Sequence, residues 1–206
     1  MNTSCKNIKQ QNGVNLKEFD LMIRLLEERD IPGIAKAFEE LGWNKPISQY
    51  ERYLIEQKLK IRDVYIAFIG EQFAGYLTIC WSSYYEPFRK KNIREITDFN
   101  VLPKFRRMGI GTRLMDKAEY QIARVSSIAG IGVGMARDYG AAQRLYVLRG
   151  YIPDGLGLHW KDHHTQYGEE VTVDDDLALY LTKELKKVNG FTKYFSRDQE
   201  SSSGLS

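Results

Sequence analysis

A strand that ends in a glycine-bearing loop and continues as a helix constrains this chain more than any other feature. It runs from Arg94 to Val125 and reads REITDFNVLP, KFRRMGIGT and RLMDKAEYQIARV. Ile96, Phe99 and Val101 mark a strand that stops at Pro103. Ile110, Leu114, Ala118, Ile122 and Val125 recur every three or four residues and predict one apolar helix stripe. Two arginines and two glycines lie between. A helix start leaves several backbone N–H groups unpaired and aimed at one place. The helix dipole adds partial positive charge there. Such a loop suits a phosphate. The plainer alternative is a glycine-relaxed turn with solvated arginines.

Three phosphate-loop patterns compete for it. A P-loop ends in Gly-Lys-Ser/Thr, whereas Gly111 is followed by Thr112 and Arg113, so that pattern fails. The dinucleotide fingerprint needs a third glycine where Leu114 stands, and a tighter turn than Val101 to Gly109 allows. The third pattern, Arg-x-x-Gly-x-Gly, is filled by Arg106, Gly109 and Gly111 after Val101-Leu102-Pro103. It resembles the acetyl-CoA loop of the GNAT superfamily of N-acetyltransferases.

The whole chain sets bounds. Its 206 residues suit one domain with a real core. Apolar content of 43% and charged content of 28% are ordinary for a globular protein. A net charge of +3 gives no reason to expect nucleic acid. Cys5 and Cys80 suggest no disulfide framework, so a reducing compartment is expected. The leader MNTSCKNIKQQNGVN has no signal-peptide pattern, and no stretch approaches a membrane span. The expectation is a cytoplasmic protein with no membrane partner, for which a homodimer is compatible. Residues 1–15 read as a flexible leader, 16–185 as the domain, and 186–206 as a polar, disordered tail.

Along the domain, Glu18–Leu26 reads as a first strand. Asp30 then caps a helix with Pro32 in its first turn, and Gly42 closes it. Ser48, with Glu51 three residues on, predicts the cap of a second helix anchored by Tyr50, Leu54 and Leu59. Asp63–Ile69 and Phe73–Trp81 flank a short turn and predict an antiparallel hairpin. Tyr84–Asn92 reads as an aromatic, basic loop. Ser127–Met135 is a strand whose Gly130, Gly132 and Gly134 share one face, which implies close approach by a packed helix or a ligand arm. Gly140–Arg149 is a short helix with Ala141, Ala142, Leu145 and Leu148 inward. Tyr151-Ile152 begins a strand that Pro153 interrupts, Gly155–Gly168 reads as a loop, and Leu177–Thr182 is the last strand. A meander followed by alternation with helices suits an α/β sheet of mixed direction.

The segment DYGAAQRLYVLRGY carries a second resemblance to the GNAT pattern, matched by Ala142, Leu145, Tyr146 and Gly150. Tyr151 stands where the family has Phe, and Tyr139 where it has Asn. The resemblance covers roughly Glu18 to Ile152. It implies the GNAT fold: a mixed, mostly antiparallel seven-stranded sheet, splayed between strands 4 and 5 and flanked by four helices. It implies acetyl transfer from acetyl-CoA to a primary amine by direct attack, with no metal or prosthetic group. Phe99, Asn100 and Val101 would meet the cofactor from the strand, Val101 through its backbone. Arg106, Arg107, Met108 and Gly109 would meet its pyrophosphate from the loop, with Ile110, Gly111 and Thr112 in the first helical turn. The rival function is an acyl-CoA sensor without turnover.

The chemistry sets further requirements. An alkyl amine is neutral roughly once in a thousand molecules at neutral pH, so a base must take its proton. Glu95 is the candidate, at a strand position where some family members hold a glutamate. Asp98 is the reserve, since a bulge near Phe99 would scramble strand parity. Tyr146 is the candidate acid for the departing thiolate. His159, His163 and His164 with Asp162 match no zinc spacing. Glu169-Glu170 and Asp174-Asp175-Asp176 read as solvated runs, or as a rim favouring a cationic acceptor. Trp81, Tyr84, Tyr85 and Phe88 read as pocket lining or as core.

Overall fold

The computed structural model describes residues 20–186. The leader 1–15 and all but the first residue of the expected tail lie outside them. In chain order the elements are β1 (Leu21–Leu25), α1 (Ile31–Glu39), α2 (Ile47–Lys58), β2 (Arg62–Ile69) and β3 (Gln72–Cys80). They continue with α3 (Glu86–Lys90), β4 (Arg94–Val101), α4 (Ile110–Ala123), β5 (Ile128–Gly134) and α5 (Gly140–Leu148). The last are β6 (Ile152–Trp160), β7 (His163–His164) and β8 (Leu177–Glu184). One sheet joins all strands in the order β1-β2-β3-β4-β5-β8-β6-β7. Among the described residues only the β4–β5 pair is parallel.

Strand alternation allocates the two faces. Tyr76 packs against Phe38 of α1 and Tyr50 of α2, so its face of β3 looks toward those helices. Tyr65 lies under Lys117 of α4, so the opposite face looks toward α4. The α4 stripe behaves as its spacing demands: Ile110, Leu114, Ala118 and Ile122 are at most 1% exposed. Val125 falls past the helix end and is exposed. Ala129, Ile131 and Val133 of β5 join the same core.

Several local expectations are corrected. Pro46, not Ser48, precedes the first residue of α2, and Ser48 lies inside the helix. Pro46 holds the extended backbone that an N-cap needs, which shifts the start forward. Asp30 precedes α1 but makes no cap bond, because its carboxylate pairs with Arg24 at 2.7 Å. Leu59 and Leu148 are exposed rather than inward. Tyr84–Asn92 is not all loop: α3 forms there, with Pro87 in its first turn and Arg89 and Lys90 in its last. Gly155–Gly168 is not all loop either, since β6 extends to Trp160. It passes Pro153 through an irregularity in which Gly155 and Gly157 take φ values of +86° and +80°. Among the described residues the sheet therefore has eight strands and five helices around it rather than seven and four. The additions are two-residue β7 and one-turn α3.

Candidate active site

The β4–β5 ladder is only three pairs long: Arg94 with Ala129, Glu95 with Gly130, and Ile96 with Ile131. Beyond them the two strands part. On its other edge β4 stays bound to β3, and the Leu102 N–H donates to the Ala74 carbonyl at 2.9 Å. Successive strand amides point to opposite edges. The Val101 N–H therefore projects into the gap that β5 has left.

At the end of β4 the chain turns through Arg107, with φ of +62°, and Gly109, with φ of +78°, into α4. None of the backbone N–H groups from Arg107 to Thr112 has an acceptor among the described residues. The next amide, Arg113, bonds the Gly109 carbonyl at 3.0 Å. Six free donors at the head of a fourteen-residue helix fit a pyrophosphate. Arg106 is turned back instead. Its Nε donates to the Val101 carbonyl at 3.1 Å, and its guanidinium lies 5.9 Å from the Trp43 ring centre. It ties the loop to the strand, which leaves Arg107, of two exposed arginines, as the one with no side-chain bond among the described residues. Ile110 offers only its amide, since its side chain is in the core. A Cβ at Gly111 would stand 3.1 Å from the Phe99 ring and 3.7 Å from Val101. That glycine is required at least as much by helix-on-strand packing as by any ligand.

Glu95 sits on the middle rung of the short ladder and is 6% exposed. Its Oε2 accepts a 2.5 Å hydrogen bond from Ser83. Burial raises its pKa to about 7, against smaller lowering by Ser83 and by the Arg62 guanidinium. A carboxylate poised there can exchange a proton near neutrality. Ser83 and Arg62 carry no sequence signal. Arg62 opens an apolar strand and reads as a strand end. In the fold it is buried between Glu56, Thr78 and Thr97.

The bulge is real. Tyr76 opposes Asn100 and Thr78 opposes Thr97, so Leu77 faces both Asp98 and Phe99. Asp98 takes φ of +46° and turns onto the same side as Glu95. There its oxygens accept from Lys45 at 2.5 Å, Gln49 at 2.9 Å, Tyr53 at 2.9 Å, Tyr76 at 2.5 Å and Asn100 at 2.9 Å. Two carboxylate oxygens offer about four lone-pair sites. With five donors on them, Asp98 is a counter-ion, not a free base.

Residues 33–151 match the model of the acetyltransferase (GNAT) family. The chain belongs to it. An uncharacterized N-acetyltransferase of Archaeoglobus fulgidus is 32% identical over 106 residues, spanning 49% of this chain and 70% of that one. A Salmonella typhimurium protein solved with its cofactor acetyl-CoA superposes with a TM-score of 0.57. It is 16% identical, over 82% of this chain and 96% of that one. A ribosomal-protein-alanine N-acetyltransferase from Brucella melitensis gives a TM-score of 0.58 at 19% identity, over 80% of this chain and 99% of that one. At such identities the two structures speak for the fold alone. GNAT enzymes take acetyl-CoA as co-substrate.

The second GNAT segment folds as α5 and its approach. Tyr146 is 4% exposed and lies 6.2 Å from the Tyr151 ring. Its hydroxyl has no partner among the described residues, and burial raises its pKa, so it stays protonated. Tyr139, at the GNAT asparagine position, lays its ring on Gly134 and donates to Asp175 at 2.9 Å. The glycine face of β5 is thus covered neither by a long helix nor by an open arm-way. Phe88, Tyr180 and Tyr139 each bring a ring onto one glycine. Tyr85 stacks on Tyr180 at 3.6 Å and bonds Asp154 and His164. Of the other aromatics, Tyr84 is exposed and Trp81 packs on the main core. His163 bonds Glu169 at 2.7 Å, and the Trp160 indole donates to Asp174 at 3.2 Å. Glu169 is engaged by its neighbours His163 and Gln166, and Asp174 by the end of β6. No described helix is long and apolar enough to cross a membrane.

Proposed function

We propose that this chain transfers the acetyl group of acetyl-CoA to a primary amine by direct attack within a ternary complex. One observation carries the reading. A buried carboxylate with pKa near 7 stands on the last paired rungs of β4, where the strands part and the Val101 amide faces the gap. In this reading the amides of Arg107–Thr112 hold the pyrophosphate, with Arg107 adding charge and Arg106 fixing the loop. Phe99 and Asn100 shape the strand wall beside it. When bound, acetyl-CoA supplies an activated acetyl thioester. The Val101 N–H donates toward the thioester oxygen, an oxyanion-type contact. Glu95 takes the acceptor's proton, directly or through water, and Ser83 holds the carboxylate in place. Tyr146 keeps its proton until a thiolate needs it.

Mass spectrometry of products after incubation with acetyl-CoA and a panel of amines tests this. One acetylated amine formed at a rate proportional to protein supports it. Binding without turnover hands the chain to the sensor reading. Acetyl-CoA at a hundred times its dissociation constant should stabilise the fold by about 2.7 kcal/mol. An unmoved melting temperature at saturation defeats both readings.

A further inference from the structure

We propose that the Asp98 carboxylate is an alkylammonium seat for the acceptor, occupied in the free protein by the chain's own Lys45. The acceptor is then a primary amine on an unbranched alkyl chain, such as a diamine or a lysine side chain. The proposal rests on the acetyl-transfer reading for the word acceptor, but not for the seat itself.

The seat's chemistry is visible in its occupant. An ammonium group lies 2.5 Å from Asp98 Oδ1, and the pair is partly open, with side chains 24% and 14% exposed. Two phenols, Tyr53 and Tyr76, and the Gln49 amide donate to the other oxygen. Asp98 is thereby held in place whether or not Lys45 is present. Its place is at the reaction site. It lies two residues past the last β4–β5 rung, within the bulge that brings it to the face of Glu95. Lys45 is also free to leave. It belongs to the irregular α1–α2 connection, and among the described residues its side chain bonds Asp98 alone. An α-amino acid is a poor fit, because its carboxylate would face both Asp98 and Glu95.

The test is calorimetric titration of cadaverine, a straight-chain diamine, into the full chain without acetyl-CoA. Wild type is compared with Lys45→Met, Lys45→Gln and the double variant Lys45→Met/Asp98→Asn. Lys45→Gln keeps a donor for Asp98 should the methionine variant not fold. An internal occupant lowers apparent affinity by the fraction of time the seat is empty, so losing Lys45 should tighten cadaverine at least about fivefold. Asp98→Asn should cancel the gain. Equal affinity in wild type and either folded Lys45 variant overturns the proposal, as does a gain that survives Asp98→Asn. Acetyl-CoA titrated into the same proteins reads the other proposal separately. Loss of that binding alone removes the enzyme and leaves the seat standing.

Discussion

Replacing Glu95 by glutamine should both stabilise the protein at alkaline pH and remove one ionisation from its rate profile. Burial lifts the carboxyl from 4.5 to about 7, which corresponds to about 3 kcal/mol against the charged form. The sign follows from proton counts. Between those two pH values the folded state binds more protons than the unfolded chain, so stability falls as pH rises. The penalty is absent below the unfolded pKa and complete above the folded one. Glutamine can still accept the Ser83 hydrogen bond and has no charge to desolvate. Urea denaturation at about pH 5.5 and about pH 8.5 should therefore show the variant gaining about 2 kcal/mol on wild type between the two.

The same substitution removes the proposed base. In wild type, kcat/KM should fall below about pH 7 with one order more in proton concentration than above it, since acceptor and base both need to lose protons. In Glu95→Gln the break near 7 should vanish, and the alkaline rate should drop about a hundredfold to ten-thousandfold. Stability that tracks wild type at both pH values refutes the buried ionisation. A break that survives in the variant assigns the base elsewhere.

Three further outcomes follow from the geometry. Thr112→Glu places a carboxylate in the exposed first turn of α4, where the dipole favours it, so stability should hold while calorimetry shows acetyl-CoA binding lost. Unchanged affinity removes the loop from the cofactor site. Tyr146→Phe deletes a hydroxyl with no partner among the described residues, so stability should move by no more than about 0.5 kcal/mol. Its kcat should fall at least about tenfold with KM for acetyl-CoA nearly constant, and a wild-type rate with chemistry limiting makes Tyr146 a packing residue. Gly130→Ala drives a methyl into the Phe88 ring and should cost about 1–3 kcal/mol in denaturant melts, an overpacking loss that Phe88→Leu partly restores. Additive effects of the two changes contradict that contact.

What could be read from the residues was whatever local periodicity and turn chemistry decide. The α4 stripe from Ile110 to Ile122, the β2–β3 hairpin around Gly70, and the loop between Arg106 and Thr112 are each set by neighbours within one element. The start of α2 lies two residues ahead of the Ser48 signal because Pro46, with its fixed φ, already holds the extended cap backbone. The glycines of β5 showed that something comes close to the strand. They could not show what, because Phe88, Tyr139 and Tyr180 arrive from three separate elements.

Asp98 shows the limit most sharply. Strict alternation from Glu95 puts it on the α4 face, away from the proposed chemistry. One extra residue opposite Leu77 reverses that, and no residue type in TDFNV requires a bulge. The reversal is held by distant groups. Lys45, Gln49, Tyr53 and Tyr76 all converge on the carboxylate, from positions at least 22 residues away in sequence. A left-handed aspartate is costly alone, and charge-assisted bonds from four such partners offset it. The turn of Asp98 onto the face of Glu95 is therefore held by one long-range cluster. A single strand pattern carries no trace of it, which is why Asp98 reads from sequence as a spare base and from structure as a counter-ion.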